Sequence, residues 1–315
     1  MNRSATATGE TYSGPVRDEG LLSFEGVFFT ERPVGQMRPG DHAWLAFGGS
    51  EERERVVGAF VTAGLATEEK VVYVTDADPL NLPGVRWPGG ADPHAYVRSG
   101  ALRVLPRERT CLSGDRFDPR RLLDALGEEV SRAFGEGFRA VRITLDLTWA
   151  TAHAPEEVAA CEHGLAAAVS PSTMAMAICQ VDRRAVAADR LAALRGAHEV
   201  LARPDPEFDD GVLRLVRTFD PPGLRLEGEL DAARHTVFAE RLARAAAGRR
   251  RVHLDCGRLR FMDPAALNVL VRQAMRLPRD GRLVLDRMPP HLARMIDAVG
   301  WARLPGLAPG RSGGR

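Results

Sequence analysis

Lysine is almost missing from this sequence. Of its 43 basic residues only Lys70 is a lysine. A phosphate-binding loop, a Schiff base or a Ser-Lys dyad would therefore have to use Lys70. Glu68 and Glu69 precede it and Val71-Val72-Tyr73-Val74 follows, so it opens a buried strand instead of closing a glycine-rich loop. A phosphate cradle needs Gly for the backbone nest, Lys for the phosphates and Ser or Thr for the metal. Lysine-dependent nucleotide hydrolysis is not expected.

Cysteine is scarce too. Cys111, Cys161, Cys179 and Cys256 lie far apart without a C-x-x-C, which fits neither a disulfide scaffold nor a structural zinc site. Cys161 and His163 form a C-x-H with His153 upstream, but a fourth ligand is lacking, so no metal is expected. Cys179 follows the apolar run 174–178 and reads as a small buried hydrophobe. Serine is absent from residues 173–311. No run approaches 18 apolar residues, so no membrane span is expected. Residues 1–17 are polar and lack the apolar core of a secretory signal, which makes the cytoplasm the expected location. A large charge excess is also lacking: 43 basic against 42 acidic residues gives a net charge of +1. A dedicated nucleic-acid binder usually carries a basic surplus. Arg234, Arg241, Arg244 and Arg249 to Arg251, interleaved with Glu240, read as a solvated face.

What is present is ordinary globular material, 44% hydrophobic and 27% charged, enough for about two domains. Strand and helix patterns alternate, which predicts α/β architecture. A strand over 42–47 ends at Gly48-Gly49, and Ser50 is placed to cap a helix with Glu51 and Glu52 in its first turn. Strands follow at 70–75, 102–105, 138–147 and 173–181. Asp118-Pro119 opens a helix with Leu122, Leu126 and Val130 on one face. The Pro/charge cluster 203–206 marks a boundary. Beyond it come strands at 212–217 and 224–227, a helix capped by Asp231, a strand at 252–255, a helix opened by Asp263-Pro264, a strand at 283–286 and a helix from Pro289-Pro290. The expected layout is a partly disordered segment 1–35, a first domain 36–203, a linker 204–211, a second domain 212–302 and a flexible tail 303–315.

The second domain carries Gly228-Glu229-Leu230-Asp231, Val252-His253-Leu254-Asp255 and Phe261-Met262-Asp263-Pro264-Ala265-Ala266-Leu267. Over residues 212–301 this resembles a STAS domain of the anti-sigma factor antagonists. In that family the loop F-M/I-D-S-S-G-L presents a serine that an anti-sigma-type kinase phosphorylates, and the added charge breaks the complex. Here Ala265 stands at the phosphoacceptor position, with Pro264 before it and Ala266 in place of the glycine. A phosphoserine there would add nearly two negative charges; alanine cannot. The resemblance implies partner binding around Asp263, Pro264, Ala265, Ala266, Leu267 and Leu270 without that off-switch. The alternative is a degenerate STAS domain that only docks on the first domain.

The first domain carries Gly40-Asp41-His42, Phe117-Asp118-Pro119, the stretch Arg142 to Ala150 and Cys179-Gln180-Val181-Asp182-Arg183-Arg184. It resembles a MEDS domain, the DcmR-type sensory domain of bacterial regulators. The resemblance implies a RecA/KaiC-like parallel sheet and small-molecule sensing. Where a P-loop would sit, Gly48-Gly49-Ser50-Glu51-Glu52-Arg53 puts two carboxylates that repel phosphate. Ligands of open α/β sheets bind beyond the carboxyl ends of the strands. His42, Gly48, Gly49, Asp76, Asp146, Trp149, Gln180 and Asp182 are the candidates. For several a plain structural role competes: core packing for Trp149, a cap or a partner for Arg142 in the case of Asp146, and a hydrogen-bonded structural histidine for His42.

The combined expectation is a cytoplasmic signalling regulator, not an enzyme, with no cofactor and no metal. Its expected partners are an anti-sigma factor or GHKL-type serine kinase and a small molecule at the first domain. Nucleic acid and membrane are not expected, and a homodimer stays open. Two other readings remain: a small-molecule binding module with a docking STAS domain, and a RecA-like nucleotide-dependent enzyme.

Overall fold

The computed structural model describes residues 30–298 apart from 115, together with residue 300 and residues 306–311. The first domain is one parallel sheet covered by helices on both faces. Its strands are β1 (Thr30–Pro33), β2 (His42–Phe47), β3 (Lys70–Val74), β4 (Leu102–Leu105), β7 (Val141–Asp146), β8 (Ala175–Asp182) and β9 (Val200–Arg203). A small hairpin, β5 (Leu112–Ser113) and β6 (Arg116–Phe117), stands apart. The main sheet runs β1-β9-β2-β8-β7-β3-β4, and every pairing in it is parallel. Strands covered on both sides read as continuous apolar runs, as Val71-Val72-Tyr73-Val74 does.

Helix α1 (50–66) covers one face with Val56, Val57, Phe60 and Val61. Helices α4 (Pro119–Gly135) and α5 (Pro155–Ala168) cover the other with Leu122, Leu126, Val158, Cys161 and Leu165. Two short helices, α2 (Pro93–Arg98) and α3 (Arg107–Thr110), flank β4, and α6 (Ala188–Arg195) leads toward β9. Asp118 accepts the Arg120 and Arg121 N–H groups and Pro119 takes the first turn, so α4 starts where expected.

The second domain has a mixed sheet in the order β10 (Phe208–Asp209), β11 (Leu213–Phe219), β12 (Pro222–Leu230), β13 (Arg251–Met262), β14 (Arg282–Asp286), β15 (Leu307–Pro309). Helices α7 (His235–Ala246), α8 (Ala266–Arg276) and α9 (Pro290–Ala298) pack on it through Phe238, Leu242, Leu267, Leu270, Leu292 and Ile296. Gly228 adopts φ +94° at an irregularity in the β12–β13 register, and a Cβ there would overlap the Val212 carbonyl. No side chain but hydrogen fits.

Several boundaries differ from the sequence reading. Thr30–Pro33, expected in a disordered segment, is an edge strand on β9. Phe208–Asp209 of the expected linker pairs with β11. Leu307–Pro309 of the expected flexible tail pairs with β14. Short edge strands have too few residues to show a period, so pattern reading misses them. Strand β13 runs on to Met262 because its outer half lies partly exposed and tolerates Arg258 and Arg260. Ser50 does not cap α1, and Asp231 makes no cap bond. The remaining expectations on residues 1–29 lie outside the described residues.

Lys70 is buried, with Nζ 3.1 Å from Glu129 and 2.6 Å from Glu136. The one lysine is thus an internal cation that pins β3 to α4. Glu129 also meets Arg103 and Arg132, so losing Lys70 leaves it partly compensated. Lys70→Met is expected to cost about 3 kcal/mol, the low end for breaking a buried pair. A urea-denaturation midpoint equal to that of the wild type would show the lysine to be idle.

Candidate functional site at the sheet switch point

Strand β3 connects outward to β4, whereas β7, its neighbour on the other side, connects the opposite way to β8. Open α/β sheets place ligands in the crevice at such a reversal. An open pocket of about 710 Å3 lies there, lined by Thr75, Arg107, Asp146, Thr148, Trp149 and Arg190 among others. Arg107 donates its backbone N–H (2.7 Å) and its Nε (2.5 Å) to Asp76 and lies 5.2 Å from the Trp149 ring centre. Trp149 meets Phe117 edge to face at 5.3 Å, which fixes its ring as a wall. Arg190 bonds the Thr151 carbonyl. Among the described residues it has no carboxylate partner, so the pocket carries a net positive charge.

Behind this pocket sits one turn of α1 whose three charged residues point three ways. Arg53 reaches inward, its Nη2 2.9 Å from Asp146 and its Nε donating to the Gln180 side-chain Oε1 at 2.7 Å. Gln180 is fully buried and donates to Thr144 at 2.6 Å and Tyr73 at 3.3 Å. Glu52 folds back: one oxygen accepts the Gly48 N–H at 2.7 Å and the Arg183 Nη1 at 2.7 Å. A Cβ on Gly48 would displace the Arg183 guanidinium from its place across the strand end. Glu51 turns to the second domain, where Arg217 meets it at 2.8 Å and Arg249 closes on its other oxygen. Burial alone would raise the Glu51 carboxyl; Arg217 and Arg249 outweigh that and hold it below its usual value. The helix then loosens into a π turn over Glu54–Gly58.

The eight candidates thus separate. Asp146 and Trp149 line the pocket, and Asp76 orients Arg107 at its edge. Gln180 lies beneath it as a buried hydrogen-bond hub. Gly48 and Asp182 surround the neighbouring strand end, which Glu52 and Arg183 fill; Asp182 itself pairs with Arg184 at 2.7 Å. Gly49 is the residue just before α1. His42 lies well away, at the start of β2. Asp146 pairs with Arg53 and also accepts the Thr148 N–H at 2.9 Å, capping the next turn, whereas Arg142 is buried against Glu69 at 2.5 Å. Sequence reading missed Arg107 and Arg190, because a lone Arg on a short helix carries no pattern.

His42 belongs to a second buried group. Its Nε2 lies 3.1 Å from Glu162 Oε2 and 3.2 Å from Cys179 Sγ. His198 Nε2 lies 3.2 Å from the same Glu162 oxygen. Residues 42 and 179 share a sheet face, because Trp44 pairs with Cys179 and His42 with Ala177. Glu162 sits in the stripe Val158, Cys161, Glu162, Leu165 of α5. A charged residue in an apolar i, i+3, i+4, i+7 stripe is the signal that could have found this group. Burial would raise the Glu162 carboxyl, but both histidines hold it well below the carboxylate range. Burial, the largest influence, lowers the His42 imidazole below its usual value.

In the second domain Asp263 caps α8 through the Ala266 N–H at 2.8 Å and meets His235 Nε2 at 3.0 Å. Pro264 and Ala265 are exposed. Ala266, Leu267 and Leu270 point into the core instead of outward, which corrects their assignment to a partner face. The outward residues are Ala265, Asn268, Val269 and Arg272, which border a groove of about 550 Å3 between α7 and α8.

Residues 41–199 match the family model of MEDS, the MEthanogen/methylotroph, DcmR Sensory domain, which covers half of the chain. Residues 213–307 match a STAS model described as Mlab, STAS domain. No curated protein matches the chain. Among the described residues no helix is long and apolar enough to cross a membrane.

The loop where a nucleotide phosphate would rest is filled by this chain's own carboxylate and guanidinium. ATP with magnesium is therefore expected to leave the melting temperature of the full chain unchanged. A saturable rise in melting temperature with ATP concentration would contradict the filled-loop reading.

Proposed function

Since the chain belongs to the MEDS family and carries a STAS domain behind it, it is a signalling protein that joins a sensory to an output domain, and we propose that residues 51–53 couple the two. The observation that carries this reading is the division of labour on that turn. Arg53 holds Asp146 at the pocket, and Glu51 holds Arg217 and Arg249 of the second domain. A ligand that competes for Asp146 or Arg53 shifts the turn, and the π turn just behind it gives the helix room to move. The pocket suits a small polar molecule with an anionic or hydrogen-bond-accepting end for Arg190 and a flat apolar part for Trp149.

The output is protein contact through the α7–α8 groove and the exposed Ala265. The partner is an anti-sigma-type kinase of the GHKL class, located with this chain in the cytoplasm. Because Ala265 cannot be phosphorylated, control passes from the partner to the pocket. A second reading has a specific support: Arg217 is buried against Glu51, as docking alone would require. In that reading the STAS domain only seats the sensor.

The test uses the full chain, wild type and Ala265→Ser, against GHKL-type kinases of the native host. The wild-type complex is expected to survive ATP, whereas Ala265→Ser should be phosphorylated and released by it. No binding of either form would favour the docking reading. Release of the wild type by ATP would refute control without phosphorylation.

A further inference from the structure

We propose that His42, Glu162, Cys179 and His198 form a binding site for one divalent cation of the zinc class. The four side chains come from β2, α5, β8 and the segment between α6 and β9, and all are buried. One ligand atom from each lies within 4.8 Å of the others. Four of the edges are 3.1, 3.2, 3.2 and 3.4 Å. Zinc with nitrogen and oxygen at about 2.0–2.2 Å and sulfur at about 2.3 Å sets tetrahedral edges of about 3.3–3.6 Å. These four edges need to open by only a few tenths of an ångström, and the two edges from His198 to His42 and Cys179, within 4.8 Å, need to close to match. Two imidazoles, a thiolate and a carboxylate are a donor set that suits zinc and cobalt better than magnesium or calcium.

The hydrogen bonding around the cage supplies an independent argument. His198 Nδ1 lies 2.9 Å from the Leu194 carbonyl, which can only accept. Nδ1 therefore carries the proton, and in the neutral ring the Nε2 lone pair faces Glu162. A backbone carbonyl that fixes the tautomer in this way is the usual support of a metal-bound histidine. His198 Nε2 and Glu162 Oε1 make no hydrogen bond, although both are buried. Buried polar atoms of this kind are costly unless something satisfies them. A neutral His198 sets this lone pair against a carboxylate oxygen; a cation between them, a proton or a metal ion, reverses the sign. With Cys179 as thiolate and Glu162 ionised, two negative charges balance a divalent cation, so the loaded site is neutral inside an apolar core. A cavity of about 140 Å3 between α5 and α6, lined by His153, Val158, Leu194 and Ala197, borders Glu162 from outside.

The long separation along the chain explains why the sequence hides the site. Residues 42, 162, 179 and 198 have no ligand spacing of a zinc motif, and only the parallel register of β2 on β8 brings the first and third together. The cysteine that belongs to the cage is Cys179. Cys161, beside Glu162 on the helix and also buried, is not among the four.

The test is metal loading of the full chain, first stripped with a chelator and checked for fold by circular dichroism. Zinc is expected to bind at one equivalent per chain. Cobalt is expected to give the intense visible bands of a tetrahedral site and a thiolate-to-cobalt charge-transfer band. Cys179→Ser should lose the charge-transfer band and bind zinc at least about tenfold more weakly, whereas Cys161→Ser should keep both. If Cys179→Ser fails to fold, the wild-type cobalt spectrum decides alone. No stoichiometric zinc in the folded wild type, a cobalt spectrum without thiolate character, or a charge-transfer band that survives in Cys179→Ser would each overturn the proposal.

Discussion

One helical turn carries the organisation of this molecule. Successive residues of an α-helix project about 100° apart, so Glu51, Glu52 and Arg53 must face three different surroundings. The chain supplies a charge partner in each: Arg217 and Arg249 for Glu51, Arg183 and the Gly48 amide for Glu52, Asp146 and Gln180 for Arg53. None of the three can move far without disturbing the other two. Paired charges that are partly shielded from water resist separation more than exposed ones do. The turn thereby links a pocket in one domain to the surface of another through covalent geometry and ion pairs alone.

The same turn stands where related architectures hold phosphate. A glycine-rich strand end with free N–H groups favours an anion. Here the anion is Glu52, and Arg183 lies across Gly48 to neutralise it. The open, positively charged crevice lies instead at the reversal between β3 and β7, lined by Trp149, Arg107 and Arg190. The lone lysine follows the same logic, since it lies inside α4's contact with β3 and has no part in any phosphate chemistry.

Much of this was legible in the sequence. The parallel strands announce themselves as apolar runs, and Asp118-Pro119 and Asp263-Pro264 mark helix starts through capping chemistry. Asp146 and Trp149, picked out as residues at or just past a strand end, line the pocket at the switch point. The short edge strands at Thr30–Pro33 and Leu307–Pro309 were not legible, because three or four residues show no period. Leu267 and Leu270 were misplaced because a motif gives order along the chain but not the side of the helix that faces the core. Arg107, Arg190, Glu162 and His198 escaped because their meaning lies in distant partners. Glu162 alone left a trace, a carboxylate in an apolar stripe.

The central claim is that residues 51–53 transmit from the pocket to the second domain. Hydrogen–deuterium exchange of Arg53→Ala tests it most directly, because Arg53 touches only first-domain residues. The account predicts faster exchange across β11 near Arg217 in the second domain, with no such change in Arg98→Ala, whose exposed partner Asp92 lies elsewhere. Exchange changes confined to residues before 204 would contradict it.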